Sequence, residues 1–248
     1  ETLGLSEEAP LVVVKEKESK EYLGGAAKVA LTIKELNTNN IYVSVLGNDT
    51  LADSVIKKFK NLKITNYLLK DRFRPTTIKT RYLVNKNKVF KTSRLEDNDV
   101  STKIENQIIN FIKKNIKKIN VIVVSDFVYG VITNKLLESI KKIASENKIV
   151  LIGDLQCSTQ IGDVSKFKNF DIISATEKEV RFAIGKKDTT IEWNANELIK
   201  KTNVKNLIYK LGENGFITYQ RLNNRKLKRI HFPALESVSL DTTGSGDT

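Results

Sequence analysis

The run DTTGSGDT, residues 241–248, holds two Asp, three Thr, one Ser and two Gly, and no large apolar side chain. Gly244, Ser245 and Gly246 let successive backbone N–H groups converge on one point, and a helix beginning near Asp247 would add the positive end of its dipole there. Such a cradle holds an anionic oxygen. Asp247 beside it is placed to take a proton from a hydroxyl that attacks a bound phosphoryl group, a role worth roughly 10²- to 10⁴-fold in rate. The plain alternative is a polar turn in which Asp247 caps a helix. The run is not a P-loop, because no Gly-Lys-Ser/Thr follows the glycines.

Other polar groups fall where strands should end: Gly47 to Thr50, Ser125-Asp126, Gly153-Asp154, Thr176 to Glu179, and Lys210 to Gly215. In open α/β sheets ligands bind beyond the carboxyl ends of the strands. A polar cleft is therefore expected there.

The elements that must position these groups are legible in the apolar spacing. Val29, Ala30, Ile33 and Leu36 recur at helical period after Gly24-Gly25, and IYVSVLG (41–47) reads as a strand. Asn48, Asp49 and Thr50 are capping candidates for a helix through Val55, Ile56 and Phe59. Ile104, Ile108, Phe111 and Ile112 repeat the helical period, followed by the strand VIVVSDF ending in Asp126. LLESIKKIASENK and IVLIGD repeat the unit; DIISAT, a helix from near Glu177, a helix through Leu198 and Ile199, and LIYKLG complete it. Strands alternating with helices imply an α/β fold with a mainly parallel sheet. Two stretches break the rhythm: 9–23, and 72–96, whose strand-like halves flank the polar NKNK. Together they would form a small β-sheet, or the second alone a surface hairpin.

The totals set further limits. A length of 248 residues suits one α/β domain with a small appendage. The longest apolar runs, such as VIVV and IVLI, are too short to span a bilayer and no leader pattern opens the chain, so a soluble protein without a membrane partner is expected. The single Cys157 makes no intrachain disulfide and fits a reducing cytoplasm. The net charge of +13 comes mostly from Lys dispersed among acids, as in KKFKNLK, KKNIKK and KKIASENK, which read as solvated helix faces. No nucleic-acid partner is expected. His231, in an alternating strand, is read as structural, Trp193 as packing a helix start, and no Cys/His cluster has zinc-ligand spacing.

DTTGSGDT resembles the D-T-x-G-A-G-D signature of the ribokinase/PfkB sugar kinases, with Ser245 in place of Ala. GGAAKVA (24–30) resembles the same family's upstream G-G-A-x-N-x-A motif. Within it, SEEAPLVVV, YLGGAAKVA, RPTTIKTR (74–81) and SDFVYG (125–130) resemble the heptose 7-phosphate kinase branch, which reads S-P-E-A-P-V-P-V-V, P-G-G-A-A-N-V-A, R-P-T-T-x-K-x-R and S-D-Y-x-K-G. The similarity covers nearly the whole chain.

The resemblance implies one ribokinase-like domain over 1–248, with helices on both sheet faces and a β-lid from about 9–23 and 72–96 that closes over a sugar and can pair into a homodimer. It implies ATP and Mg²⁺. Asp247 matches the catalytic base, and Gly244, Ser245 and Gly246 the anion hole. Glu179 matches the Glu of N-x-x-E, which organises Mg²⁺ and phosphate. Lys210, Gly212 and Gly215 lie on a T-x-G-x-x-G-like nucleotide segment, with Thr243 also on the nucleotide side. Gly24, Gly25, Lys28 and Asp126 fall on the sugar side. In the family further helices follow the signature and wall the nucleotide site, and this chain opens at Glu1 and holds no Met; a chain truncated at both ends is expected.

Departures from the pattern touch one cleft. Lys28 replaces a sugar-contacting Asn, exchanging an amide for a cation that only donates; it meets a substrate phosphate or carboxylate, or points to solvent. Thr176 replaces the Asn of N-x-x-E, leaving Glu179 without that companion. Asp154-Leu155-Gln156 stands where the branch has D-P-K, so a Lys able to face phosphate is absent. The expected activity is ATP-dependent phosphorylation of a sugar or sugar phosphate like heptose 7-phosphate. The alternatives are a kinase for another small sugar and a non-catalytic sugar or nucleotide binder.

Overall fold

Helix and strand alternate as the apolar period switches in the computed structural model, which describes residues 2–5, 12–84, 87–156, 162–186, 188–222 and 226–234. The backbone divides into two units, 1–96 and 97–248.

In the first unit, β1 (Thr2–Leu5) pairs antiparallel with β2 (Val12–Val14). Helix α1 (Ala26–Glu35) follows Gly25. Then β3 (Ile41–Gly47), α2 (Thr50–Asn61) and β4 (Thr65–Asp71) form a βαβ unit in which β3 and β4 pair in parallel from Ile41↔Thr65 to Gly47↔Asp71. The buried face of α2 carries Phe59, 0% exposed, whose ring stacks on Tyr42 at 5.0 Å. With Ala27 and Ile64 it forms the centre of this unit's core, and Leu23, Leu31, Val55 and Leu68 pack around it. Antiparallel β5 (Ile78–Val84) and β6 (Asn87–Arg94) form a ribbon, with Tyr82 stacked on Phe90 at 4.3 Å.

The two irregular stretches do not share a sheet among the described residues. The short β2 finds its partner upstream in β1, whereas β5 and β6 satisfy each other's backbone. The expected small common sheet is thus two separate ribbons.

The second unit runs α3 (Thr102–Asn115), β7 (Val121–Asp126), α4 (Asn134–Asn147), β8 (Val150–Leu155), β9 (Ile172–Thr176), α5 (Glu177–Ile184), α6 (Ile191–Thr202), β10 (Asn206–Lys210), β11 (Phe216–Arg221) and β12 (Leu227–Phe232). Its six strands lie in the order β12-β11-β10-β9-β8-β7; β7 to β10 are mutually parallel, and β11 and β12 add antiparallel. Ser101, Thr133, Thr176 and Thr190 each open a helix by accepting an otherwise orphaned backbone N–H. Gly153 sits inside β8 because a Cβ there would lie 2.7 Å from the ring of Phe167, which packs on Phe170 at 5.0 Å. His231 fits its structural reading: Nε2 lies 2.9 Å from the Asn214 carbonyl oxygen, tying β12 to the turn before β11. Among the described residues no helix is long and apolar enough to cross a membrane.

One carboxylate organises the first unit. Asp49 Oδ1 accepts from Ala52 N–H at 2.9 Å, capping α2, and from the Thr76 hydroxyl at 2.7 Å; Oδ2 accepts from Thr76 N–H at 2.9 Å. Thr76 Oγ1 accepts in turn from Gly47 N–H at 3.0 Å. The end of β3, the start of α2 and the root of the β5–β6 ribbon are joined through it. Burial alone would push this carboxyl up, but the hydrogen bonds from Thr76 and Ala52 and the charge of Arg94 outweigh it and hold Asp49 below the usual range. A depressed folded value means the stabilisation is present above the unfolded value, about 3.9, and is lost as pH falls through the folded one. Asp49→Asn should therefore lower the unfolding free energy at neutral pH by about 1–2 kcal/mol. In urea titrations the gap to wild type should close as pH drops below about 4; a gap independent of pH would refute this role for the charge.

Candidate functional site

The octapeptide 241–248 lies outside the described residues, and with it Thr243, Gly244, Ser245, Gly246 and Asp247. The remaining candidates divide between the two units.

In the first unit, Gly25 is the N-cap of α1 with φ 59° and ψ −141°, a conformation essentially reserved for glycine. A Cβ at Gly24 would meet nothing within 4 Å, so nothing inside the unit requires glycine there. Lys28 lies in the first turn of α1, which carries no acidic residue, and its N–H donates to the Gly25 carbonyl at 2.8 Å. Its ammonium has no hydrogen-bond or ion-pair partner among the described residues.

RPTT has an internal task in the same unit. Arg74 Nε donates to Asp71 Oδ2 at 3.0 Å with both side chains 7% exposed, and Thr76 closes the Asp49 network. Gly47 has no room for a side chain, since a Cβ would lie 2.3 Å from Thr76 N. The reading of Asp49 as a helix cap caught one of its three bonds; the other two reach a residue 27 positions on.

In the second unit, Asp126 ends β7 and is buried. Its Oδ1 accepts from Val128 N–H at 2.8 Å and its Oδ2 from Lys166 Nζ. SDFVYG carries Tyr129 where the resembled S-D-Y-x-K-G has Lys, and the ammonium facing Asp126 is that of Lys166.

Asp154 and Lys210 meet although β9 separates their strands. Lys210 Nζ donates to Asp154 Oδ1 at 2.8 Å, with side chains 18% and 12% exposed. Asp154 Oδ2 accepts from the Gln156 amide at 2.9 Å. Lys210 pairs with Thr176 across the β9–β10 ladder, and Asp154 with Ser174 across β8–β9, so Asp154, Thr176 and Lys210 share one sheet face.

Thr176 is no mere gap where an Asn belongs. Its hydroxyl accepts from Glu179 N–H at 3.4 Å, and Glu179 Oε2 accepts from Thr176 N–H at 2.8 Å, a reciprocal capping box that opens α5. The Ser/Thr-x-x-Glu spacing was visible in T-E-K-E, and it supplies Glu179 with a companion by another route. Glu179 is buried, at 5% exposure, at the carboxyl end of β9.

The glycines of KLGENG serve different ends. Gly212 has φ 61° with nothing within 4 Å of a built Cβ, whereas at Gly215, φ 79°, a Cβ would lie 2.1 Å from the Phe232 carbonyl oxygen. Gly212 borders open space and Gly215 packs against the chain leaving β12. A concave surface of about 850 Å³ joins Thr176, Lys178, Phe182, Lys210, Leu211 and Gly212. It offers the ammonium groups of Lys178, Lys186 and Lys210, a glycine turn and a helix start on a mostly apolar wall, the mixture that suits a ligand with an anionic end and a flat body. Thr176, Lys210 and Gly212 are thus brought together beside Glu179, Gly215 faces inward, and Asp126 lies on β7 with its carboxylate engaged.

The pfkB family carbohydrate kinase model matches residues 3–248. The bifunctional protein HldE of Aliarcobacter butzleri is 30% identical over 98% of this chain and 50% of that protein. The chain spans about half the length of the curated relatives it matches. Among solved structures, ribokinase from Giardia lamblia superposes with TM-score 0.69 at 18% identity, covering 90% of this chain and 70% of that one. Phosphofructokinase-2 from Escherichia coli, in complex with fructose-6-phosphate, gives 0.68 at 14% identity, covering 90% and 71%. The architecture is therefore ribokinase-like.

The two glycines should separate on substitution. Gly215→Ala should lower the unfolding free energy by about 3 kcal/mol or more, strain and overlap adding, and Gly212→Ala by about 1 kcal/mol from backbone strain alone. Denaturant titration of both variants checks this, and equal losses would contradict the division of roles.

Proposed function

Because this chain belongs to the pfkB family of carbohydrate kinases, we propose that it transfers the γ-phosphoryl group of ATP to a hydroxyl of a sugar phosphate resembling heptose 7-phosphate. The observation that carries the reading is the concavity in which Thr176, Lys210 and Gly212 meet at the carboxyl ends of β9 and β10. Ligand sites in this class of sheet lie at that edge.

The residues fit the implied nucleotide and metal. The groove of about 850 Å³ is in the size range of a small-molecule site. Among the described residues no group of three or more His, Cys, Asp or Glu could cage a metal ion. Mg²⁺ in a phosphoryl-transfer site needs only one or two carboxylates besides phosphate oxygens and water, and Glu179 can supply one. Bound there, Mg²⁺ would neutralise charge on the phosphate oxygens.

The chain's own residues would act as follows. Lys210 and the Gly212 turn bind the phosphate tail, and Thr243 lies on the same side. The Thr176–Glu179 box fixes the carboxylate that would hold the metal. Gly24 and Gly25 give the sugar close approach, and Lys28, whose ammonium lacks a partner among the described residues, meets the substrate's own phosphate. Asp126 holds the loop after β7 on the sugar side. Asp247 takes the proton of the attacking hydroxyl, while the N–H groups of Gly244, Ser245 and Gly246 stabilise the developing anion.

The β5–β6 ribbon, with Leu83, Val89 and Phe90 about half exposed, would close over the sugar and pair with a second copy. The cytoplasm, which supplies ATP, is the compartment this reading implies. In the full-length protein, Asp247→Asn should bind ATP and sugar phosphate within a few-fold of wild type yet lose turnover by about 10²- to 10⁴-fold. Undiminished turnover in a coupled ADP-release assay would remove Asp247 from the mechanism.

A further inference from the structure

At the ends of β8 and β10, the strands that flank β9, two residues depart from the patterns they resemble. Gln156 stands where D-P-K has its Lys, and Lys210 stands where T-x-G-x-x-G has its Thr. Lys210 spans β9 to reach Asp154, and Gln156 reaches the same carboxylate from the other side, at 2.8 Å and 2.9 Å. An ammonium anchored on β10 therefore arrives beside the side chain of residue 156. Its bond to Asp154 uses one of its three N–H donors. The same side chain lines the groove with Gly212 and Lys178.

We propose that Lys210 is a phosphate-facing cation of this groove, standing in for the Lys absent from position 156, and that Asp154 and Gln156 are the positioning residues that hold it. The assignment rests on the kinase reading of the groove. Held this way, Lys210 sets how strongly the site discriminates nucleotides by their number of phosphates. Two effects act in the same direction. Lys210 attracts the polyphosphate through charge-assisted bonds, and it neutralises Asp154, which unpaired would repel an approaching anion. A threonine at this position carries no charge and cannot neutralise Asp154.

Calorimetric titration of the full-length protein with adenosine, AMP, ADP and a non-hydrolysable ATP analogue, each with Mg²⁺, tests this. Wild type should bind more tightly with each added phosphate. Lys210→Thr should weaken ADP and the ATP analogue by about 10- to 100-fold, the worth of one charge-assisted hydrogen bond, and leave adenosine unchanged. Adding Gln156→Lys to that variant should restore most of the loss. In turnover, Lys210→Thr should raise KM for ATP and leave KM for the sugar phosphate unaltered. If Lys210→Thr does not fold, the pair Asp154→Asn with Lys210→Thr, which leaves neither charge without its partner, carries the same comparison. A variant that loses adenosine and ATP analogue alike, or keeps wild-type discrimination, would overturn the assignment alone. Wild type that binds none of the four would overturn the kinase reading and the assignment with it.

Discussion

Parallel pairing sends the carboxyl ends of β8, β9 and β10 to the same edge, and the register decides which side chains meet there. Lys210 sits beside Thr176 and two residues beyond the level of Asp154. A lysine is long enough to cover that offset and the width of one intervening strand. Slipping β10 by one residue would turn Lys210 to the other face of the sheet and put Tyr209, now fully buried, in its place. The groove and the ion pair both follow from this register.

Buried carboxylates are the second constraint, because each must find a partner or lose its charge. The second unit buries Asp126, Asp154 and Glu179 near its strand ends and satisfies each differently: Lys166 and a backbone N–H, Lys210 with Gln156, and the Thr176 N–H. The first unit does the same with Asp71 and Arg74. Lys166, Lys210 and Arg74 are thus spent inward on these acids.

Much of this was legible because local rules suffice for it. IYVSVLG is β3 residue for residue, Asp49 does cap α2, and the halves around NKNK are β5 and β6. Alternating strands and helices gave a mostly parallel sheet in the second unit. Contacts between residues far apart in sequence were not legible: Thr76 on Asp49, Lys166 on Asp126, Lys210 on Asp154. No local period encodes them. Gly212 and Gly215 look alike in the sequence and differ only in what a Cβ would strike. The Thr-x-x-Glu box that holds Glu179 stands in the sequence as T-E-K-E.

The account stands on phosphoryl transfer to a sugar that already carries an anion. Its most direct test is ATP-dependent ADP release by the full-length protein across a panel of neutral sugars and sugar phosphates, with Mg²⁺ present and withheld. Turnover confined to phosphorylated sugars, strongest on a heptose 7-phosphate and dependent on Mg²⁺, is the predicted result. Folded protein that turns over only neutral sugars, or none of the panel, would contradict it.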